Sequence, residues 1–248
     1  MVEAIVVIPA RYKSSRFPGK PLALITGRPM ILHVAEKAAL AVGRENVYVA
    51  TDDDRIRLTV ENAGFSAVMT SESEITGTDR VAAALGQLPE TDIVVNLQGD
   101  EPLVDPVDIA NLITAFKSSQ DVVINGYCEI SATQAQDISI PKVVMNEHGH
   151  LLYMSRAPIP ASKENSLNSE NFYRQVCIYV FSPAQLKKYR NFGRKSILER
   201  REDIEILRFF ELGIAIKMIE TSASSLAVDF PEHIVAVESE ITKADKSG

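Results

Sequence analysis

Apolar runs alternate with amphipathic stretches along the first half of the chain, and the two patterns predict strands and helices in turn. Residues 4–10 read "AIVVIPA", an almost unbroken apolar run that is typical of a strand buried on both faces. Residues 28–42 carry apolar side chains at helical spacing, with Pro29 suited to the first turn and Gly43 to the C-terminal cap. Three more strand–helix pairs follow before residue 120. Such repeats predict an α/β, Rossmann-like fold with a mostly parallel central sheet and helices on both faces.

The pattern changes after residue 120 without indicating a second domain. The polar stretch that follows residue 156 is bracketed by prolines, but a strand pattern resumes directly after it, so we interpret it as a loop and predict one domain over residues 1–248. The predicted elements of this half are a strand at 121–130, a hairpin at 142–156, a strand at 175–182, one helix at 196–213, strands at 214–220 and 225–230, and a final helix at 231–243 that starts at Pro231.

Composition and charge exclude several classes of function. The 248 residues carry a formal net charge of -7, which argues against nucleic acid as the main partner, because the overall field repels phosphodiester backbones. No apolar run approaches the roughly 20 residues that cross a bilayer, and no basic segment precedes the first apolar run. Cys128 and Cys177 lie far apart, which favours reduced thiols. We therefore expect a cytoplasmic protein with no membrane association.

Cations are concentrated in the loop that follows the first strand. Arg11, Arg16 and Lys20 lie within ten residues of one another, although the protein is acidic. Ligands of open parallel sheets bind at the carboxyl ends of strands, which is where this loop begins. Arginine donates two hydrogen bonds in one plane and lysine supplies a mobile charge, while Pro18 and Gly19 stiffen the loop and permit close approach of its backbone. The loop therefore predicts a site for an anion with several oxygens, such as a polyphosphate.

Common phosphate-binding and catalytic motifs are absent from the sequence. Lys20 is followed by Pro21 where a Walker loop has Ser or Thr, and no G-x-G-x-x-G occurs. The opening loop also lacks the G-x-G-x-R pattern of sugar-1-phosphate nucleotidyltransferases. No Ser/His/Asp or Cys/His arrangement is legible, so the sequence does not indicate a covalent nucleophile.

Acidic residues follow two of the predicted strands. Asp100 and Glu101 come directly after the strand that ends near Gln98, and Asp229 follows the run at 225–230. Mg²⁺ prefers carboxylate oxygens, so Asp100 and Asp229 could share one ion at the sheet edge. The alternatives are a turn residue for Asp100 and a helix N-cap for Asp229.

Two further loop-to-helix junctions carry polar residues with open roles. In "TGTDR", Gly77 and the hydroxyl groups of Thr76 and Thr78 could let the backbone contact a flat base, and Arg80 could face a ligand or the solvent. The acidic run at residues 52–54 is best explained by helix capping and solvation.

Seven segments, taken in order and spacing, resemble the 3-deoxy-manno-octulosonate (KDO) cytidylyltransferases, which are also called CMP-KDO synthetases. These segments are "IPARYKSSRFPGKPL", "GRPMILHV", "VATDD", "TGTDR", "NLQGDEP", "MSRAPIP" and "VDFPEH". The resemblance covers nearly the whole chain. It implies a nucleotidyltransferase fold, usually dimeric, that transfers CMP from CTP to the anomeric hydroxyl of KDO with Mg²⁺ as cofactor and releases pyrophosphate.

The resemblance also implies a role for each matching residue. Lys20, Arg11 and Asp100 would be catalytic, and residues 155–180 would contribute to a homodimer contact. CTP would be bound by Arg11, Ser14, Arg16, Lys20, Gly77, Thr78 and Arg80; the acidic sugar by Gln98, Arg156 and Glu205; and magnesium by Asp100 and Asp229. We expect Gln175, which departs from the family pattern, to contact the acidic sugar as well.

Departures from the family pattern cluster on the sugar side and leave the acceptor open. Gln175 stands where the family usually has histidine, and Ile206 where it has glutamine. Alternative acceptors are a nonulosonic acid, an amino-modified octulosonate or a phosphonate. A non-catalytic nucleotide-binding regulator is a further alternative, which the presence of Asp100 and Asp229 disfavours.

Overall fold

The protein folds around a nine-stranded sheet that is parallel along most of its length. The structure is a computed structural model and describes residues 2–14, 17–161, 171–223 and 225–247. The strands in that part of the chain are β1 (Val2–Ala10), β2 (Leu24–Ile25), β3 (Arg28–Pro29), β4 (Val47–Thr51), β5 (Ser66–Met69), β6 (Thr91–Leu97), β7 (Val123–Ile130), β8 (Lys142–Met145), β9 (Leu151–Ser155), β10 (Phe172–Phe181) and β11 (Ile216–Glu220). Its α-helices are α1 (Met30–Val42), α2 (Asp54–Asn62), α3 (Gly77–Ala84), α4 (Pro106–Lys117), α5 (Ala132–Ala135), α6 (Pro183–Asn191), α7 (Ile197–Glu202), α8 (Arg208–Glu211) and α9 (His233–Ser247).

The order of strands across the sheet is β11-β7-β10-β6-β1-β4-β5. β1 pairs in parallel with β4 and β6, β4 with β5, and β7 with β11, whereas β10 runs antiparallel between β6 and β7. The hairpin β8–β9 is attached to this sheet through β10, and β2–β3 forms a separate two-stranded ribbon. The predicted mostly parallel α/β sheet is confirmed, with β10 as its antiparallel member.

Burial on both faces explains why β1 is apolar at successive positions. Ile5 and Val7 point into one core, which they share with α3, α6 and α8, and Val6 and Ile8 point into the other, which they share with α1, α2 and α4. Side chains alternate between the faces of a strand, so helices on both faces require apolar residues at odd and even positions alike. The sheet is therefore the middle layer of three. Because helices cover both of its faces, ligands can reach it only at the edge where the strands end.

Two predicted elements are wrong, both in the second half. The helix predicted over 196–213 is interrupted: α7 ends at Glu202, Asp203 adopts a left-handed conformation with φ 53°, and a 3-10 turn over Glu205–Leu207 precedes α8. Residues 225–230 form no strand, because the chain crosses the end of the sheet there and makes one backbone hydrogen bond to it, from the amide of Val228 to the carbonyl of Asp100 (2.9 Å). The apolar Val228 is buried in a small core with Ile25, Met30 and Val237 instead.

Other differences concern a helix boundary and two overlooked helices. The last helix starts at His233 instead of Pro231, and neither α5 nor α6 was predicted, although a capping box of serine and glutamine starts each of them. Residues 172–180, within the predicted dimer contact, belong to β10 and are paired inside the sheet, and residues 162–170 lie outside the described part. No helix in the described residues is long and apolar enough to span a membrane.

Candidate active site

Two cavities open at the edge where β1 and β6 end. One, here called the loop cavity, has a volume of about 290 Å³ and is lined by the loop after β1 and the start of α3. The other, the strand cavity, has a volume of about 440 Å³ and is lined by the first half of β10 and by residues 225–229. The residues that line both are Gln98, Asp100, Arg156, Asp203, Glu205 and Asp229. A molecule in one cavity therefore meets a molecule in the other beside Asp100 and Asp229.

Glycine gives the loop after β1 its sharp turn. Gly19 has φ 71°, a conformation that side chains other than glycine rarely adopt, and its amide donates to the carbonyl of Tyr12 (2.9 Å). This closure turns the chain back so that Lys20, at the start of a 3-10 turn, enters the loop cavity. Arg11 and Ser14 line the same cavity, whereas Arg16 lies outside the described residues.

Lys20 brings the two predicted metal ligands together. Its Nζ donates to Oδ2 of Asp100 (2.6 Å) and to the backbone carbonyl of Val228 (2.9 Å), and it lies 3.9 Å from Oδ1 of Asp229. The three side chains are far apart in the sequence, since Asp100 follows Lys20 by 80 residues and Asp229 follows it by 209, and they meet because β1, β6 and the crossing segment reach the same edge. The backbone of Asp229 is held by α9, since its amide donates to Nδ1 of His233 (3.2 Å).

This arrangement fits a divalent cation. Two carboxylates already converge on one positive group, and Mg²⁺ typically takes one or two protein carboxylates together with substrate phosphate oxygens and water. The described residues contain no cluster of three or more acidic, histidine or cysteine ligands, so a fully protein-made cage is not available here. Asp100 and Asp229 are thus the residues that could hold the ion, with Lys20 displaced from between them.

Glu205 occupies the N-terminal end of α3. Its carboxylate accepts hydrogen bonds from the amides of Gly77 (3.1 Å) and Thr78 (2.8 Å) and from the hydroxyl group of Thr78 (2.7 Å). Burial raises the pKa of Glu205, although these hydrogen bonds act in the opposite direction. Glycine at position 77 leaves room for this contact, because a Cβ there would lie 3.3 Å from Oε1 of Glu205 and 2.9 Å from Nε2 of Gln98. The two amides that were predicted to contact a base therefore hold Glu205 in this structure.

Arg80 lines the loop cavity but is almost completely buried, with 3% of its surface exposed. Its Nη1 donates to the hydroxyl group of Thr70 (2.6 Å) and its Nη2 to Asp52 (2.7 Å). The solvent-facing alternative for Arg80 is wrong, and so is solvation as the role of Asp52, which is buried in this ion pair; Asp53, by contrast, caps α2 as predicted. The contact of Arg80 with cytidine stays a prediction.

The predicted acceptor residues all line the strand cavity. Gln98 donates to Asn96 (3.3 Å), and Gln175 donates to Asn125 (3.0 Å) from the floor of the cavity. The guanidinium group of Arg156 donates hydrogen bonds to backbone carbonyls. Its Nε donates to the carbonyl of Glu202 (2.6 Å) and its Nη1 to the carbonyl of Ser139 (2.8 Å). Arg156 therefore fastens the chain segments around the cavity, and its proposed contact with a sugar acid would require these bonds to rearrange.

Several residues of the two cavities were missed by sequence reasoning. Lys195 adds a cation to the loop cavity, where it pairs with Asp203 (2.8 Å). The only sequence feature that could have indicated Lys195 is the basic stretch before α7. That stretch has the composition of an ordinary surface loop, so it did not stand out. The strand cavity also contains side chains that only the folded register brings together, namely Glu101, Gln134, Asp137, Arg174, Cys177, Tyr179, Glu232 and His233. Burial raises the pKa of Cys177 well above its usual range, so this thiol is not an activated nucleophile.

Comparison with known proteins agrees with this geometry. Residues 5–219 match the family model described as "Cytidylyltransferase". The chain belongs to the cytidylyltransferase family. The match includes most or all of every strand of the sheet and every residue that lines the loop cavity except Asp229, and it makes the chain a CTP-dependent nucleotidyltransferase. The resemblance to the KDO cytidylyltransferases is likewise confirmed by the relatives that follow.

Two curated relatives carry the name 8-amino-3,8-dideoxy-manno-octulosonate cytidylyltransferase. The protein from Shewanella baltica (strain OS185) is 41% identical over 236 residues, which cover 92% of this chain and 94% of the relative. The protein from Shewanella frigidimarina (strain NCIMB 400) is 41% identical over 241 residues, or 94% and 96% of the two chains. A solved structure of CMP:2-keto-3-deoxy-manno-octonic acid synthetase complexed with CTP superposes with a TM-score of 0.89 at 38% identity and covers 98% of this chain and 99% of its own.

Proposed function

We propose that this cytidylyltransferase transfers CMP from CTP to the anomeric hydroxyl of an octulosonate and that its preferred acceptor is the 8-amino-3,8-dideoxy sugar. The observation that carries the proposal is the junction of two cavities at Asp100 and Asp229, one cavity with basic side chains for a triphosphate and one for a second molecule. The names of the curated relatives support the amino sugar.

The charge of the strand cavity also favours an acceptor with a cationic group. Seven carboxylate side chains line it: Asp100, Glu101, Asp137, Asp203, Glu205, Asp229 and Glu232. Two guanidinium groups, those of Arg156 and Arg174, oppose them, and both are bonded to backbone carbonyls. Lys20 and Lys195 pair with Asp100 and Asp203 from the loop cavity, so carboxylates still outnumber cations by seven to four. A sugar acid that also carries an ammonium group is attracted by this field more strongly than one with only a carboxylate.

KDO itself is the second candidate. The structural neighbour described as CMP:2-keto-3-deoxy-manno-octonic acid synthetase covers almost the whole chain, so its acceptor is a reasonable alternative. Both acceptors share the anomeric hydroxyl that reacts and the carboxyl group beside it, and they differ at carbon 8 alone.

In the proposed reaction the acceptor hydroxyl oxygen attacks the α-phosphorus, the bond from that phosphorus to the bridging oxygen breaks, pyrophosphate leaves, and the hydroxyl proton passes to solvent. Displacements of this kind depend on alignment and charge neutralisation more than on covalent catalysis. Arg11, Lys20 and Lys195 would offset the charge on the departing pyrophosphate. Magnesium held by Asp100 and Asp229 would supply the positive charge that makes the acceptor hydroxyl more acidic.

Pyrophosphate release tests the proposal. The protein is incubated with CTP, Mg²⁺ and one acceptor at a time: the 8-amino sugar, KDO or a nonulosonic acid. We expect the highest kcat/KM with the 8-amino sugar. A higher kcat/KM with KDO would make KDO the preferred acceptor in place of the 8-amino sugar. Product with the nonulosonic acid alone would refute the octulosonate assignment. If the protein bound CTP but formed no product with any acceptor, the result would favour the alternative of a non-catalytic nucleotide-binding regulator.

A homodimer is a separate proposal, carried over from the family resemblance. Light scattering coupled to size exclusion measures the mass directly, and a mass near the 27.3 kDa of one chain would refute the dimer.

A further inference from the structure

Gln175 has its side-chain orientation fixed by a second buried amide. Nε2 of Gln175 donates to Oδ1 of Asn125 (3.0 Å), while Nδ2 of Asn125 donates to the carbonyls of Val176 and Ile178 (both 2.9 Å). Backbone carbonyls can only accept, so the NH₂ group of Asn125 must face them and its oxygen must face Gln175. Gln175 in turn must direct its NH₂ group towards Asn125. The reversed orientation would set two donors or two acceptors against each other.

The amide oxygen of Gln175 is consequently the atom presented to the strand cavity. Gln175 is 95% buried and lines that cavity, yet none of the described residues donates to its Oε1. Every fully buried side-chain nitrogen or oxygen in the described chain has a partner, so Oε1 is reached from the cavity. A carbonyl oxygen that faces a cavity and accepts no hydrogen bond from the described residues is placed to accept one from a ligand.

The surroundings of Gln175 favour a donor that carries positive charge. Glu101 accepts from the amide of Cys177 (3.4 Å), two residues along β10, and Asp137 and Glu232 line the same cavity. Arg174 is the adjacent cation, and its Nη2 is directed to the carbonyl of Ser225 and its Nη1 to the backbone carbonyl of Gln175. Gln175 lines the strand cavity but not the loop cavity, so it lies outside the junction of the two cavities. We therefore expect it to face a part of the acceptor other than the reacting hydroxyl.

We propose that Gln175 is a specificity-determining residue whose Oε1 accepts a hydrogen bond from the protonated amino group at carbon 8 of the acceptor. The inference rests on the proposed function and adds the residue that selects the amino sugar. An ammonium group donates a charge-assisted hydrogen bond, which is about twice as strong as the neutral bond from the hydroxyl group of KDO. Such a difference corresponds to about a tenfold preference in kcat/KM.

Competition between acceptors tests the inference. Wild-type protein and Gln175→Met are each given CTP, Mg²⁺ and equal mixtures of the 8-amino sugar with KDO or with the 8-deoxy sugar, and the CMP-sugars are separated and quantified. The ratio of products does not depend on the fraction of active enzyme. We expect the wild type to prefer the amino sugar and Gln175→Met to lose about tenfold of that preference, with the affinity for CTP unchanged.

Gln134→Met is the matched control. Gln134 lines the same cavity, but its Oε1 already accepts from the amide (3.0 Å) and the hydroxyl group (3.1 Å) of Ser131, so its substitution is expected to leave the product ratio unchanged. A purely structural role of Gln175 would slow all acceptors equally, and an unchanged ratio in Gln175→Met would overturn the inference. If Gln175→Met does not fold, the wild type decides: equal amounts of product from the amino sugar and the 8-deoxy sugar would overturn the inference. Turnover of no octulosonate at all would refute the proposed function as well.

Discussion

Arg208 is a fully buried cation, and its removal is predicted to destabilise the protein strongly. Its surface is 0% exposed, and its guanidinium group donates to Glu199 (2.8 and 2.7 Å) and to Asp79 (2.8 and 3.0 Å) while lying 3.8 Å from the centre of the Tyr189 ring. Burial opposes the charge, but the bonds to Glu199 and Asp79 raise the pKa of Arg208, so the group stays cationic.

The geometry sets the size of the effect of Arg208→Met. Methionine fills most of the volume but leaves the carboxylates of Asp79 and Glu199 buried without their counter-charge. Breaking a buried ion pair by removing one partner costs about 3–5 kcal/mol. At about 2–4 °C per kcal/mol for a chain of this size, the midpoint of thermal unfolding should fall by roughly 6–20 °C. Because Asp79 lies in α3 and Glu199 in α7, we expect the affinity for CTP to fall as well.

Urea unfolding followed by circular dichroism measures the loss. The control is Lys117→Met, which removes a cation from a solvent-exposed pair with Glu3 and should cost less than about 1 kcal/mol. In the triple variant Arg208→Met/Asp79→Asn/Glu199→Gln, the unpaired charges are gone, and part of the stability should return. If Arg208→Met lost no more stability than Lys117→Met, the buried network would not be holding α3 and α7 together.

Three other substitutions test the site. Asp100→Asn should lower turnover by about 100-fold or more while it spares the affinity for CTP measured without Mg²⁺, and full activity would remove Asp100 from the metal site. Lys20→Met should raise the KM for CTP by about 10- to 100-fold, because a charged hydrogen bond to phosphate is lost; kinetics equal to those of Lys117→Met would contradict this role. Glu205→Gln should be less stable than the wild type by about 1–3 kcal/mol at acid pH, since one donor at the start of α3 loses its acceptor. The raised pKa of Glu205 penalises the wild type as pH rises above the ordinary value of 4.5, so this gap should narrow towards neutral pH; a gap that widened would show the opposite shift.

The parts of the fold that could be predicted are those fixed by local pattern. Some elements can be predicted from about a dozen consecutive residues. Examples are the apolar run of β1, the glycine that ends α1 and the helical spacing of apolar residues in α4. The capping box at the start of α6 was equally visible and was overlooked. By contrast, the break at Asp203 depends on contacts with α3, because Glu205 and Arg208 both bond to that helix and pull the chain out of a continuous helical path. Distant contacts override local propensity there.

The candidate site divides in the same way. Lys20, Asp100 and Asp229 could be placed together, because each follows an element that ends at the same edge of the sheet. Arg80 could not be recognised as buried, since its partner Asp52 lies 28 residues earlier and the pairing depends on the packing of α3 against β4. The orientation of Gln175 depends on the register of β10 against β7, which no local pattern specifies.

The position of Lys20 explains how an acidic protein can admit a nucleotide. Two carboxylates at the junction of the cavities would repel a triphosphate, but the ammonium group of Lys20 neutralises one of these charges and is bonded to Asp100 directly. A divalent cation held by Asp100 and Asp229 would take the place of that ammonium group, because one carboxylate oxygen cannot be held closely by both. Lys20, which already lines the loop cavity together with Arg11, would then be available to a phosphate there. Metal binding at the acids and phosphate binding at the loop are therefore expected to be coupled, each strengthening the other, and substitution of Lys20 should weaken that coupling.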